Sequence, residues 1–145
     1  MGARNQSRVD TNRDTLFPVL VCRQALCNCE QLNYVAVALR RFMDDQGFLE
    51  VETPTLETTT GGAEATPFKT HHNDFDLDVY LRISVGELWQ KRLMAGGFQR
   101  TFEIGRVYRN EGSSPDHLQE FTNFEFYASW MNYEGGMELA EKMIK

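Results

Sequence analysis

No part of this chain is apolar for long enough to cross a bilayer. Its hydrophobic runs are a few residues each, against the ~20 that a spanning helix needs. The segment from Met1 to Asp14 is polar and lacks the apolar stretch of a secretory signal, so the expected setting is soluble and cytoplasmic. Cysteine is scarce. Cys22, Cys27 and Cys29 are spaced C-x4-C-x-C, with no second pair to complete a zinc site. His71 and His72 could be recruited as ligands, but neighbours on a strand point to opposite faces. Reduced bystander thiols and no metal site are therefore the expectation. Positive charge is short too, with 15 Lys and Arg against 21 Asp and Glu and a net charge of −6. An independent nucleic-acid binder shows a basic face, so RNA contacts are expected to be local or to come from other parts of a larger protein. Internal repeats and low-complexity segments are also missing, which excludes solenoids and arrays. What remains is one domain's worth of ordinary globular composition, 145 residues with 41% hydrophobic and 25% charged. A chain of this size buries roughly 68–70% of its unfolded surface, enough for a real core.

Residues 1–30 read as a tail or linker remnant, and 31–145 as the folded part. Leu32, Val35, Ala36, Leu39, Phe42 and Met43 form a stripe at helical spacing, with Gly47 as its stop. Phe48 to Thr53 alternates as a short strand ending at Pro54, and Thr58 to Pro67 reads as a loop around Gly61-Gly62. Polar Lys69 to Asp78 leads into a strand over Val79 to Ile83. Ser84 and Glu87 have capping-box spacing, which predicts a helix running to Ala95 with Gly96 as its stop. Tyr133 to Lys145 resumes helical spacing through Met137, Ala140 and Ile144. Between these helices, two long alternating stretches flank a turn-rich loop from Gly112 to Leu118. They predict an antiparallel hairpin. Its apolar face carries Phe102, Ile104, Tyr108, Phe124, Phe126, Ala128 and Trp130. The expected architecture is α+β, an antiparallel sheet with helices packed on that apolar face.

The other face of the hairpin is chemically unusual. Arg109, Glu111, Phe121, Glu125 and Tyr127 share it if the two strands are adjacent. A guanidinium forks onto phosphate or carboxylate oxygens. A Phe offers a stacking plate for a base, worth about 1–3 kcal/mol. Paired carboxylates call for a cation, whether an ammonium group, an exocyclic amine or a metal. The plainer alternative is a set of cross-strand ion pairs with an exposed Phe.

At these residues the sequence resembles the class II aminoacyl-tRNA synthetases, most closely their lysine branch. RRFMDDQGFLEVETPTL, around Leu39 to Pro54, looks like the family's motif 1, which builds a dimer interface; motif 1 is set at about 31–54. YRNEG at Tyr108–Gly112, the loop, and FTNFEFY at Phe121–Tyr127 look like motif 2, about 101–130. GGAEATPFKTHHNDFDLDVYLRIS, Gly61 to Ser84, points to the lysine branch. The Ser84-Val85-Gly86-Glu87 junction is one residue longer than the bacterial pattern.

The resemblance implies an ATP-dependent ligase that activates lysine as lysyl-adenylate and transfers it to tRNA(Lys). It implies ATP contacts from Arg109, Glu111, His117 and Phe121. It implies amino-acid contacts from Gly62, Glu87, Arg109, Glu125 and Tyr127, with Arg109 as the catalytic residue on the α-phosphate. Magnesium is expected for the family, with its ligands outside these residues, as are motif 3 and the anticodon-binding barrel. The chain is thus expected to hold the front half of a catalytic domain, as a homodimer through motif 1, with weak ATP and lysine binding. Two other readings are a paralogue that aminoacylates a protein lysine and a non-catalytic dimerisation or regulatory module.

Overall fold

Alternation in the two long stretches produces the predicted hairpin. The computed structural model describes residues 31–112, 114 and 117–145. The 1–30 tail and its three cysteines lie outside the described residues, as do Ser113, Pro115 and Asp116 of the hairpin loop. The chain divides into two units, Met1–Ala38 and Leu39–Lys145. Helix α1 covers residues 31–45. It is followed by β1 (Leu49–Glu50), β2 (Leu56–Glu57), β3 (Lys69–His72), β4 (Leu77–Leu81), α2 (Glu87–Ala95), β5 (Arg100–Tyr108), β6 (Glu120–Ala128) and α3 (Tyr133–Ile144). The described residues form two three-stranded sheets, in the orders β1-β5-β6 and β2-β4-β3. All pairings are antiparallel except β1 with β5. The fold is α+β, as expected. Among the described residues, no helix is long and apolar enough to cross a membrane.

The core lies on one face of β5 and β6. Met43, Phe48, Phe102 and Leu139 are buried together, with Phe42, Ile104, Phe124, Phe126, Ala128 and Met143 packed around them. Phe48 meets Phe126 edge-on with ring centroids 5.7 Å apart, and Phe102 lies 6.1 Å from Phe124. Each buried Phe contributes about 1.5–3 kcal/mol relative to exposure.

Several expectations are corrected. Trp130 is not on the apolar face. It sits in the turn after β6 with φ 62° and is 96% exposed, because the left-handed backbone there breaks the alternation. The buried stripe of α3 runs through Leu139 and Met143, whereas Met137 and Ile144 are exposed. Helices do not pack on one face alone, since α2 covers the opposite face of β5. There Gln90, wholly buried, accepts from Thr101 Oγ1 at 3.0 Å and donates to Val85 O at 3.2 Å. The capping box does not form. Gly86, at φ 71°, is the N-cap of α2 and no side chain caps the helix, because the Ser84 hydroxyl bonds Glu125 instead. Lys69–His72, read as merely polar, is a strand that pairs with β4 through a turn at Asn73 to Asp76.

Candidate functional site

A short buried segment, Arg82 to Gly86, runs across the β5–β6 face and positions what lies on it. Its anchor is Arg82, 4% exposed. The guanidinium donates to Glu103 Oε1 at 2.5 Å, to Arg106 O at 2.8 Å and to Thr53 O at 3.1 Å. Glu103 in turn accepts from Thr53 Oγ1 at 2.6 Å. A charge pair this deeply buried is tolerated only when its remaining lone pairs and protons are bonded, as they are here. Arg82 O accepts from Tyr108 N, which fixes the segment to the end of β5.

Register places the predicted residues along one surface. Opposite pairs Val107↔Phe121, Gly105↔Asn123, Glu103↔Glu125 and Thr101↔Tyr127 put Phe121, Asn123, Glu125 and Tyr127 on the side that the segment crosses. At one end, the Arg109 guanidinium lies 5.1 Å from the Phe121 ring centroid, and its Nε donates to Ile83 O at 3.4 Å. Glu111 is tied to the glycine-rich loop, accepting from Thr66 N at 3.2 Å. About 13 Å further along β6, four residues at strand rise, stands Glu125. Its Oε1 accepts from Ser84 Oγ and, at 2.9 Å, from Asn123 Nδ2. Glu87 opens α2 beside it and pairs with Lys91 one turn on. Gly62 packs on the same corner with φ 93°. A Cβ there would stand 2.7 Å from Ser84 Oγ and 2.9 Å from Glu87 Cβ, so only glycine fits. His117 is held within the exposed loop, its Nδ1 2.8 Å from Ser114 Oγ. The loop's own pairing positions it rather than the sheet.

Tyr127 reports the sign of this corner. Burial first, then the charges of Glu125 and Glu87 and a hydrogen bond to Glu125, push its phenol up to about 12. The folded phenol therefore stays protonated after an unfolded one has ionised near pH 10. Stability drawn from it is intact below about pH 10 and falls as pH rises from there towards 12. In a Glu125→Gln variant, the Tyr127 midpoint is expected to fall towards its ordinary value, read by ring-carbon NMR titration. An unchanged midpoint would leave burial and the Glu87 charge as the causes.

Ser84, Asn123 and Lys91 were not singled out from sequence as site residues, yet they contact Glu125 and Glu87. Only Ser84 had a local signal, its spacing to Glu87, and that pointed to a cap. Among the described residues, no group of three His, Cys, Asp or Glu side chains is placed to hold a metal ion.

The antiparallel hairpin thus carries an arginine over a phenylalanine at one end and a pair of carboxylates at the other. The family profile of tRNA synthetases class II (D, K and N) matches residues 22–145, and the chain belongs to that family. Its relatives narrow the branch. The chain is 54% identical over 110 residues to the lysine–tRNA ligase of Aliivibrio fischeri, covering 76% of this chain and 22% of that protein. Identity is 53% over 107 residues to the lysine–tRNA ligase of Prochlorococcus marinus (74% and 21%). It is 51% over 111 residues to that of Pseudomonas aeruginosa PAO1 (77% and 22%). The chain thus spans about a fifth of the length of these curated relatives, 22% of the first.

Proposed function

We propose that residues 31–145 are part of the catalytic domain of a lysine–tRNA ligase, binding lysine and ATP for synthesis of lysyl-adenylate. The observation that carries this reading is the Glu125 corner. A half-buried carboxylate is bonded by neutral groups, Ser84, Asn123 and Tyr127, and among the described residues no cation pairs with it, while a second carboxylate stands beside it. Such a corner is complementary to an ammonium group, and a neutral side chain would leave its acceptors unmatched.

In this reading the lysine ε-ammonium sits against Glu125 and Tyr127, and the α-ammonium against Glu87 and the Gly62 backbone. Arg109 holds the carboxylate and the ATP α-phosphate. The carboxylate oxygen attacks the α-phosphorus, a new P–O bond forms, the bond to the bridging oxygen breaks, and pyrophosphate leaves. Negative charge grows on the phosphoryl oxygens, and Arg109 stabilises it without transferring a proton. Phe121 stacks the adenine, Glu111 contacts the nucleotide, and His117 lies by the phosphates. ATP enters as its magnesium complex, and no step is assigned to a metal held by this chain. The acceptor is tRNA(Lys), the compartment the cytoplasm, and the assembly a homodimer through 31–54.

Isothermal titration of the chain with a non-hydrolysable lysyl-adenylate analogue tests the reading. Saturable binding, tighter than for the norleucyl analogue, is expected. Equal affinity for the two would sink the assignment to lysine.

A further inference from the structure

We propose that Ser84 is a specificity-determining positioning residue, which pins the Glu125 carboxylate in the orientation that receives the substrate's side-chain ammonium. The proposal rests on the lysine reading above. Ser84 is 3% exposed, and its hydroxyl donates to Glu125 Oε1, on a strand 41 residues away. Asn123 donates to the same oxygen at 2.9 Å. Oε1 is thereby held by two neutral donors, and the Tyr127 phenol also bonds the carboxylate, so its charge is oriented without being neutralised.

The pin is itself fixed. Residues 82–86 are all buried, Arg82 is locked to Glu103, and Val85 O accepts from Gln90 Nε2 at 3.2 Å. A carboxylate held only by a neighbour on its own strand can rotate. One also held by a hydroxyl on an independent, immobile segment cannot do so without breaking a charge-assisted bond.

The same segment reaches the other end of the site, since Ile83 O accepts from Arg109 Nε at 3.4 Å. One rigid stretch of backbone therefore spaces the anion-binding arginine from the cation-binding glutamate. Ser84 converts that spacing into discrimination for a side chain of lysine's length and charge.

The test uses the full chain and two adenylate analogues, lysyl and norleucyl, the second lacking the ammonium. Ser84→Ala is expected to weaken the lysyl analogue about tenfold while leaving the norleucyl analogue within twofold. Ser84→Cys keeps nearly the same volume with a weak donor, and it should fall between the two if the alanine variant folds poorly. Equal weakening of both analogues would mean a general structural role and overturn the proposal. A urea-unfolding cycle with Glu125→Leu, which accepts nothing from Ser84, separates the two readings. Ser84→Ala should cost less stability in the Glu125→Leu background than alone, whereas strict additivity overturns the pin. If wild-type chain shows no lysyl preference but the cycle is coupled, the lysine assignment fails and the pin stands.

Discussion

An Arg82→Met chain is expected to lose about 3–5 kcal/mol of folding stability, the usual loss when one partner of a buried ion pair is removed. The reason is what stays behind. Glu103, 2% exposed, would keep a charge with only Thr53 to bond it, and the carbonyls of Thr53 and Arg106 would lose their donor. Small domains hold only about 5–15 kcal/mol in total, so the variant should lie close to its unfolding midpoint in water. Urea unfolding followed by circular dichroism reads the shift. Adding Glu103→Leu should recover part of the loss, because it removes the stranded charge but leaves both carbonyls unsatisfied. A loss below 1 kcal/mol for Arg82→Met would show that water reaches Glu103 and that the pair is not the anchor of segment 82–86.

Glu125→Gln is expected to weaken the lysyl-adenylate analogue by about 2–3 kcal/mol, roughly 30- to 200-fold, with the norleucyl analogue nearly unaffected. Glutamine keeps the shape and can still accept from Ser84 and Asn123, so the packing survives. What disappears is the negative charge. The carboxylate is half-buried rather than sealed, which places the estimate at the lower end for charged contacts. Calorimetric titration of both analogues against wild type and variant measures it. Retention of the lysyl preference would move the ammonium to another acceptor, with Glu87 the first to examine.

The hairpin was legible because alternation is a strong signal over nine-residue strands. The same alternation placed Arg109, Phe121, Glu125 and Tyr127 on one side. Gly62 and His117 rested on the family resemblance, and the contacts that organise the site were hidden. Arg82 and Glu103 are 21 residues apart, and nothing local marks either as buried. Ser84 and Glu87 show the limit of a local rule, since a hydroxyl spaced to cap a helix found a carboxylate on another strand. Strand β3 was invisible because Lys69, Thr70 and His71 are all exposed, leaving no apolar face to alternate with. Helix α3 was recognised but out of phase: Met137 and Ile144 are apolar at helical spacing, yet Leu139 and Met143 face the core.

Helix α2 is seated on the sheet by a neutral side chain. Gln90 bridges Val85 O and Thr101 Oγ1 with no ionisable group in either bond. Dissolved ions weaken exposed charge pairs, since the Debye length is only about 8 Å at physiological ionic strength. They have little purchase on a sealed amide. Rising salt would loosen Lys91 from Glu87, and it would slow the approach of charged ligands, while the helix that presents Glu87 keeps its footing. The frame of the site is thus decoupled from the ionic composition of its surroundings, and only the traffic across its surface depends on it.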